Sequence, residues 1–199
     1  AKIKSEIMAE ICALLAFAAV KNHDKVGLSF FSDHVEKYIP LKKGKKHVLR
    51  VIREILSFHP ENRRTLFDAA FEFAVRVLTH RAIVFVVSDF LDFPETSNAL
   101  RILARKHDII AIRITDPREV GLVSTGWMEL EDAETGEILT VPAGDRRFRD
   151  AFERLARERS EKVDQLFRTV GIDKIDIDTS QSYVEPIIRF FRAREKRVR

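Results

Sequence analysis

The feature that most constrains the fold is the apolar run AIVFVV at 82–87, which is followed at once by Ser88 and Asp89. Because polar and apolar residues do not alternate in it, the run predicts a β-strand buried on both faces, as in a parallel sheet covered by helices. Ligands of open α/β sheets bind just beyond the carboxyl ends of such strands. Asp89 is therefore either a ligand of a metal or phosphate or the cap of a turn.

The composition is that of an ordinary globular protein of 199 residues, with 45% hydrophobic and 33% charged residues and a net charge of +4. No segment contains the roughly 18–20 consecutive apolar residues that a membrane span needs. Cys12 is the single cysteine, so a disulfide within the chain and a cysteine-rich zinc site are excluded. We expect a cytoplasmic protein without a signal peptide, and the mild positive charge does not indicate nucleic-acid binding.

Periodicity predicts alternating helices and strands. Helices are expected at 3–20, 44–58, 65–78, 95–106, 150–170 and 183–194. Strands are expected at 26–31, 82–87, 108–114 and 172–177. A further strand at 35–40 is expected to form a hairpin with 26–31, and strands at 127–131 and 137–141 are expected to form a second hairpin. This order favours a three-layer α/β fold with a mostly parallel, doubly wound sheet, one antiparallel hairpin strand and a late β-hairpin, forming a single domain over 1–199.

Thr65 and Asp89 form the first candidate site. Thr65 precedes a predicted helix and Asp89 follows the next predicted strand, so both are expected at the same edge of the sheet. A hydroxyl and a carboxylate oxygen suit a hard cation such as Mg²⁺, which keeps several of its waters. The alternative is structural: Thr65 as a helix N-cap and Asp89 as the cap of the following turn.

Several segments together resemble a known family. They are DKVGLSFFSD at 24–33, YIPLKKG at 38–44, TLFDAA at 65–70, VVSDF at 86–90, LEDAETGE at 130–137 and DTSQSYVEPIIRFFRAR at 178–194. In order and spacing they resemble von Willebrand factor A-like domains, and more closely the uncharacterised bacterial family associated with MoxR-type AAA+ ATPases. The resemblance extends over nearly the whole chain.

The resemblance implies a metal-ion-dependent adhesion site. Such sites use a D-x-S-x-S loop after the first strand, a threonine on a second loop and an aspartate on a third, and Thr65 and Asp89 match the last two. We therefore expect that the first strand and the metal loop belong upstream of Ala1, so that the chain lacks its N-terminal part. The alternative is a member of the family that has lost the site.

The implied function is that of a non-enzymatic protein-interaction module. Mg²⁺ or Mn²⁺ at the site would accept a carboxylate from a partner, and the resemblance points to a MoxR-type AAA+ ATPase as that partner, in the assembly or maturation of complexes. The alternative function is a metal-dependent phosphohydrolase that uses Asp89 and Asp92, with Asp116 as the next acidic strand end. Hydrolysis of phosphate esters would distinguish the two.

One motif is a decoy. The segment 178–182 spells D-x-S-x-S, but it follows the last predicted strand, which Lys174 and Asp176 mark as an edge strand. Ser182, with Glu185 three residues later, instead fits the capping box of a helix. We therefore predict a turn and a helix cap here rather than a metal loop.

Overall fold

The structure, a computed structural model, describes residues 4–62, 64–131 and 138–198. The helices are α1 (Lys4–Lys21), α2 (Lys45–Ser57), α3 (Phe67–Val77), α4 (Asn98–Lys106), α5 (Pro117–Val120), α6 (Arg146–Val170) and α7 (Val184–Val198). The strands are β1 (Val26–Phe31), β2 (Val35–Lys42), β3 (Ile83–Ser88), β4 (Asp108–Thr115), β5 (Met128–Glu131), β6 (Ile138–Val141) and β7 (Asp173–Asp178). The predicted alternation of helices and strands is confirmed.

Three strands form the parallel sheet, in the order β3–β4–β7. The expectation of one mostly parallel sheet is wrong for the described residues, because β1 and β2 pair only with each other as an antiparallel hairpin. The late hairpin of β5 and β6 is a third hydrogen-bonded unit, and its predicted turn at 132–137 lies outside the described residues. The observed architecture is thus a mixed α/β fold with a three-stranded parallel sheet and two antiparallel hairpins.

The strand fully buried on both faces is β4, and the same prediction for β3 is confirmed only in part, because β3 contacts a core cluster on each face but stays partly exposed. Ile109, Ile110, Ala111, Ile112 and Ile114 of β4 are all buried. In β3, Ile83 is 58% exposed and only Val86 is buried, while Val84, Phe85 and Val87 are partly buried against the two core clusters. The reason is position: β4 lies between two strands, whereas β3 pairs with one in the described part of the chain.

Helices cover both faces of the parallel sheet. Side chains alternate along β4, so Ile109 and Ala111 join a cluster built with α3, α4 and α6, while Ile110 and Ile112 join one built with α1 and α7. Ile7 and Ile11 of α1 belong to the second cluster. No helix in the described ranges is long and apolar enough to cross a lipid bilayer.

Two helices, α3 and α4, begin two or more residues later than predicted. The backbone N–H of Leu66 donates to the carbonyl of Ser32 at 2.7 Å, which keeps this segment extended, and α3 begins only at Phe67. The structural alternative for Thr65 is therefore wrong: the N-cap residue is Leu66, and no side chain caps the helix. Likewise α4 begins at Asn98 rather than at 95, because Ser97 accepts a hydrogen bond from the Leu100 N–H.

Candidate functional site

The carboxyl ends of the parallel strands lie at one edge of the sheet, as expected. Ser88 at the end of β3 is in register with Arg113 of β4, and Thr115 at the end of β4 is in register with Asp178 of β7. Asp89 follows β3 directly and lies at this edge. The predicted position of Asp89 is confirmed.

The partner of Asp89 is a lysine from the first turn of α1. The Lys4 Nζ atom donates a hydrogen bond to Asp89 Oδ2 at 3.0 Å, and a second, short one to Glu119 Oε1. The Lys4 side chain is 19% exposed, and each carboxylate is 31% exposed. A single ammonium thus joins α1, the end of β3 and α5.

The charges around Lys4 determine its protonation. Burial acts to lower the pKa of Lys4, but the hydrogen bonds and negative charges of Glu119 and Asp89 outweigh it, so that the pKa is raised above the ordinary 10.5. Lys4 is therefore a fixed cation at neutral pH, shared between two carboxylates.

Glu119 is held in place by a capping box. Asp116 accepts a hydrogen bond from the Arg118 N–H at 2.9 Å, and Glu119 Oε2 accepts one from the Asp116 N–H at 3.3 Å. The other oxygen of Glu119 is left to face Lys4. Asp116, which the phosphohydrolase alternative needs as an acidic strand end, is occupied as the N-cap of α5.

The loop after β3 has an unusual backbone. Phe90 has a φ of 58°, the left-handed region that residues other than glycine rarely adopt. Its N–H donates to Ser88 Oγ at 3.2 Å, and the Leu91 N–H donates to Asp89 Oδ1 at 3.2 Å. The predicted turn-capping role of Asp89 is confirmed. Such conformations concentrate at functional sites, where the surroundings hold them.

Stacked aromatic rings join the loop of Thr65 to the loop of Asp89. The ring of Phe67 stacks on that of Phe90 with centroids 5.6 Å apart, and Phe31 at the end of β1 packs on Phe67 at 5.5 Å. Thr65 itself is half-buried. The fold brings the two loops side by side, although no hydrogen bond joins Thr65 to Asp89 within the described residues.

An open cleft of about 250 Å³ borders Asp89 and Glu119 and extends toward β7 and α6. Two basic residues, Arg113 and Arg159, line it. Arg113 donates to Asp176 and to Ser160, each at 2.8 Å, and pairs with Asp164 at 3.0 Å. Because these partners already satisfy Arg113, its role is to tie β4 to β7 and α6.

The decoy motif is a turn and a helix cap, as predicted. Asp178 Oδ1 accepts hydrogen bonds from the Ser180 N–H at 2.8 Å and the Ser180 hydroxyl at 2.7 Å, and Ser182 Oγ accepts one from Val184 at the start of α7. The residues that the structure describes contain no group of three or more His, Cys, Asp or Glu side chains able to hold a metal.

Cys12 on α1 is half-buried. Burial raises the pKa of its thiol to about 11, so the nucleophilic thiolate is scarce at neutral pH. The interpretation of Cys12 as a packing residue is therefore favoured over a nucleophile.

Sequence reasoning missed Lys4 and Glu119. Lys4 lies 85 residues from Asp89 and 115 residues from Glu119 in the sequence, separations beyond the reach of any local pattern. One signal was present: a lysine in the first turn of a helix is disfavoured by the helix dipole, unless a carboxylate compensates it.

Two relatives of the chain have names that state no function. The chain is 25% identical over 195 residues to the uncharacterized protein Rv1480 of Mycobacterium tuberculosis, which covers 97% of this chain and 61% of that protein. It is 27% identical over 160 residues to the uncharacterized protein MAV169 of Mycobacterium avium, covering 79% of this chain and 94% of that protein. The chain thus spans about 61% of the length of the first of these relatives.

A solved structure shares the fold. The conserved hypothetical protein BatB from Bacteroides thetaiotaomicron aligns with a TM-score of 0.52 over 90% of this chain and 83% of that one, at 14% identity. That identity supports the fold alone. The profile of the family described as "Protein of unknown function DUF58" matches residues 1–162. This match extends over most of the chain, which therefore belongs to the DUF58 family.

Proposed function

We propose that the chain is a protein-interaction module of the von Willebrand factor A-like type. It works with a MoxR-type AAA+ ATPase in the assembly or maturation of complexes, and it docks its partner through a divalent cation held by Asp89 and Thr65. The observation that carries the proposal is that a positive charge already lies beside Asp89: the Lys4 ammonium pairs with the carboxylates of Asp89 and Glu119. A bound Mg²⁺ or Mn²⁺ would supply an open coordination position for a carboxylate of the partner.

The donor chemistry fits such an ion. Asp89 offers a carboxylate at a strand end, and Thr65 offers a hydroxyl on the adjacent loop, which the stack of Phe67 on Phe90 holds in place. Mg²⁺ binds with few protein oxygens because it keeps several of its waters. Asp89 Oδ2 is engaged by Lys4, so a cation that binds there has to displace the ammonium.

The alternative of a metal-dependent phosphohydrolase has less support. Asp92 is exposed on the turn after β3, and Asp116 caps α5. The interaction module requires only Asp89 and Thr65 as ligands, whereas the hydrolase needs further acidic groups beside Asp89.

The test is isothermal titration of Mg²⁺ and Mn²⁺ into the wild-type chain and two variants. We expect Asp89→Ala to abolish binding, because it removes the only carboxylate proposed as a ligand. We expect Asp92→Ala, the matched control three residues away, to bind as the wild type does, because that side chain points into solvent. Equal loss in both variants, or no binding to the wild type, would contradict the metal site.

A second experiment addresses the partner. Binding of the chain to an immobilised MoxR-type AAA+ ATPase should require Mg²⁺, be reversed by a chelator, and be lost in Asp89→Ala. Binding that persists in the chelator and in Asp89→Ala would overturn the docking mechanism. Hydrolysis of a phosphate ester that is lost with Asp89→Ala would instead favour the phosphohydrolase.

A further inference from the structure

A second cavity lies at the opposite edge of the parallel sheet from Asp89. It has a volume of about 460 Å³ and lies where α3 and α4 end and β3 and β4 begin. Its polar lining residues are Arg76, Thr79, His80, Arg81, Lys106 and His107. The site proposed above uses none of these residues.

The charge of this cavity is positive. Arg76, Arg81 and Lys106 line it, and no Asp or Glu is among the described residues of its wall. None of the three cations forms an ion pair with a carboxylate in the part of the chain that the structure describes. The acid next to His107 in the chain, Asp108, is paired with Arg194 of α7.

The two helix ends explain only part of this charge. Basic residues near helix C-termini stabilise the negative end of the helix dipole, and both α3 and α4 end at the cavity. Each dipole amounts to roughly half an elementary charge, or about −1 for the two together. The three cations carry a charge of +3, so after the two helix ends are neutralised an excess of about two positive charges is left. A ligand with two negative charges would balance this excess.

The second observation is His107, whose side chain lines the cavity and is 5% exposed. Neither of its ring nitrogens has a hydrogen-bond partner within the described residues. A buried polar group without a partner is costly, and those in native structures call for a missing partner such as a ligand or a water. Burial and, to a lesser extent, the charge of Lys106 lower the pKa of His107, so the ring is neutral at pH 7 and offers one N–H donor.

We propose that this cavity binds the phosphate group of a small molecule. The guanidinium of Arg81 and the ammonium of Lys106 neutralise the phosphate, and the N–H of His107 donates a hydrogen bond to one of its oxygens. The volume lies within the roughly 300–1,000 Å³ that is usual for ligand sites, so there is room for more than the phosphate itself. The ligand is thus either free inorganic phosphate or a phosphorylated metabolite such as a nucleotide.

The experiment is titration of inorganic phosphate and, separately, of ATP into the chain by calorimetry, with a chelator present so that no divalent ion contributes. ATP bound more tightly than phosphate identifies a phosphorylated metabolite as the ligand, and equal or weaker ATP binding identifies inorganic phosphate. We expect Arg81→Gln and Lys106→Gln each to weaken binding by about tenfold or more, the usual effect of losing a charged hydrogen bond. Arg101→Gln, an exposed cation on α4 outside the cavity, is the matched control and should bind as the wild type does.

His107→Leu separates ligand binding from folding. If His107 serves the ligand, the leucine variant should fold with an unchanged or higher midpoint of thermal unfolding and bind phosphate more weakly. The proposal is overturned if neither ligand binds, if the Arg81→Gln/Lys106→Gln double variant still binds, or if Arg101→Gln weakens binding as much as they do.

Discussion

The Lys4 ammonium joins three separate parts of the chain at the candidate site, namely α1, the end of β3 and α5. Replacing it by methionine keeps the length of the side chain but leaves Asp89 and Glu119 facing each other without a cation. Because the three groups are partly buried, we expect Lys4→Met to lower the free energy of unfolding by about 1–2 kcal/mol. Urea denaturation of the variant and the wild type measures this difference.

The control is Lys162→Met, which removes the ion pair to Glu95. Both of those side chains are mostly exposed, so no measurable loss of stability is expected.

The contribution of Lys4 to stability also depends on pH, and the pKa shift of Lys4 gives its direction. The pKa of Lys4 is raised on folding, so its contribution is complete below the ordinary 10.5 and is lost as the pH rises through the folded-state pKa. A difference between wild type and Lys4→Met that already disappears between pH 7 and 9 would contradict the shared-cation interpretation.

Among the elements, α4 depends on a single side chain for its start. Ser97 is buried, accepts a hydrogen bond from the Leu100 N–H at 3.0 Å, and donates a short one to Asp68 in the first turn of α3. Ser97→Ala removes the cap and the link between the two helices. We expect a loss of about 1–2 kcal/mol in the free energy of unfolding, measured by urea denaturation.

Ser182→Ala is the matched control, because Ser182 also caps a helix but is exposed and its bond to the Val184 N–H is longer, at 3.4 Å. Its effect should stay below about 0.5 kcal/mol, as for most surface substitutions. Equal losses in the two variants would show that the Ser97–Asp68 link contributes nothing beyond an ordinary cap.

The elements that the sequence predicted well are those whose pattern is local. The apolar run of β4, the periodicity of α2 and the polar loop around Asp89 each depend on neighbours in the chain, so their type and order could be predicted. The edge that holds Asp89 followed from the parallel order of the strands.

What could not be predicted depends on contacts between distant segments. Thr65 was assigned to a helix end, but the bond from Leu66 to Ser32 extends that segment. The apolar residues of β3 predict a strand buried on both faces, but how far it is buried depends on which strands pair with it. The contact of Lys4 with Asp89 and Glu119 arises only when α1 packs on the sheet.

At the scale of the whole molecule, the parallel sheet and the β1–β2 hairpin each have open edges in the described residues. In the described residues β3 pairs only with β4, and β1 pairs only with β2, so each has one side without a strand. Ile83 at the start of β3 is largely exposed. An apolar strand edge with free N–H and C=O groups is a template for pairing with another chain.

We therefore expect this chain to associate in a concentration-dependent manner through β3, which sedimentation velocity at increasing concentration measures. Ile83→Lys should reduce the association, because a charged side chain on an edge strand opposes pairing between chains. Ile138→Lys is the matched control, since Ile138 on the β5–β6 hairpin is 63% exposed and lies away from the parallel sheet. If both lysine variants reduce association equally, general surface hydrophobicity rather than the β3 edge is the cause. A wild-type chain that stays monomeric throughout would mean that the β3 edge is protected against pairing.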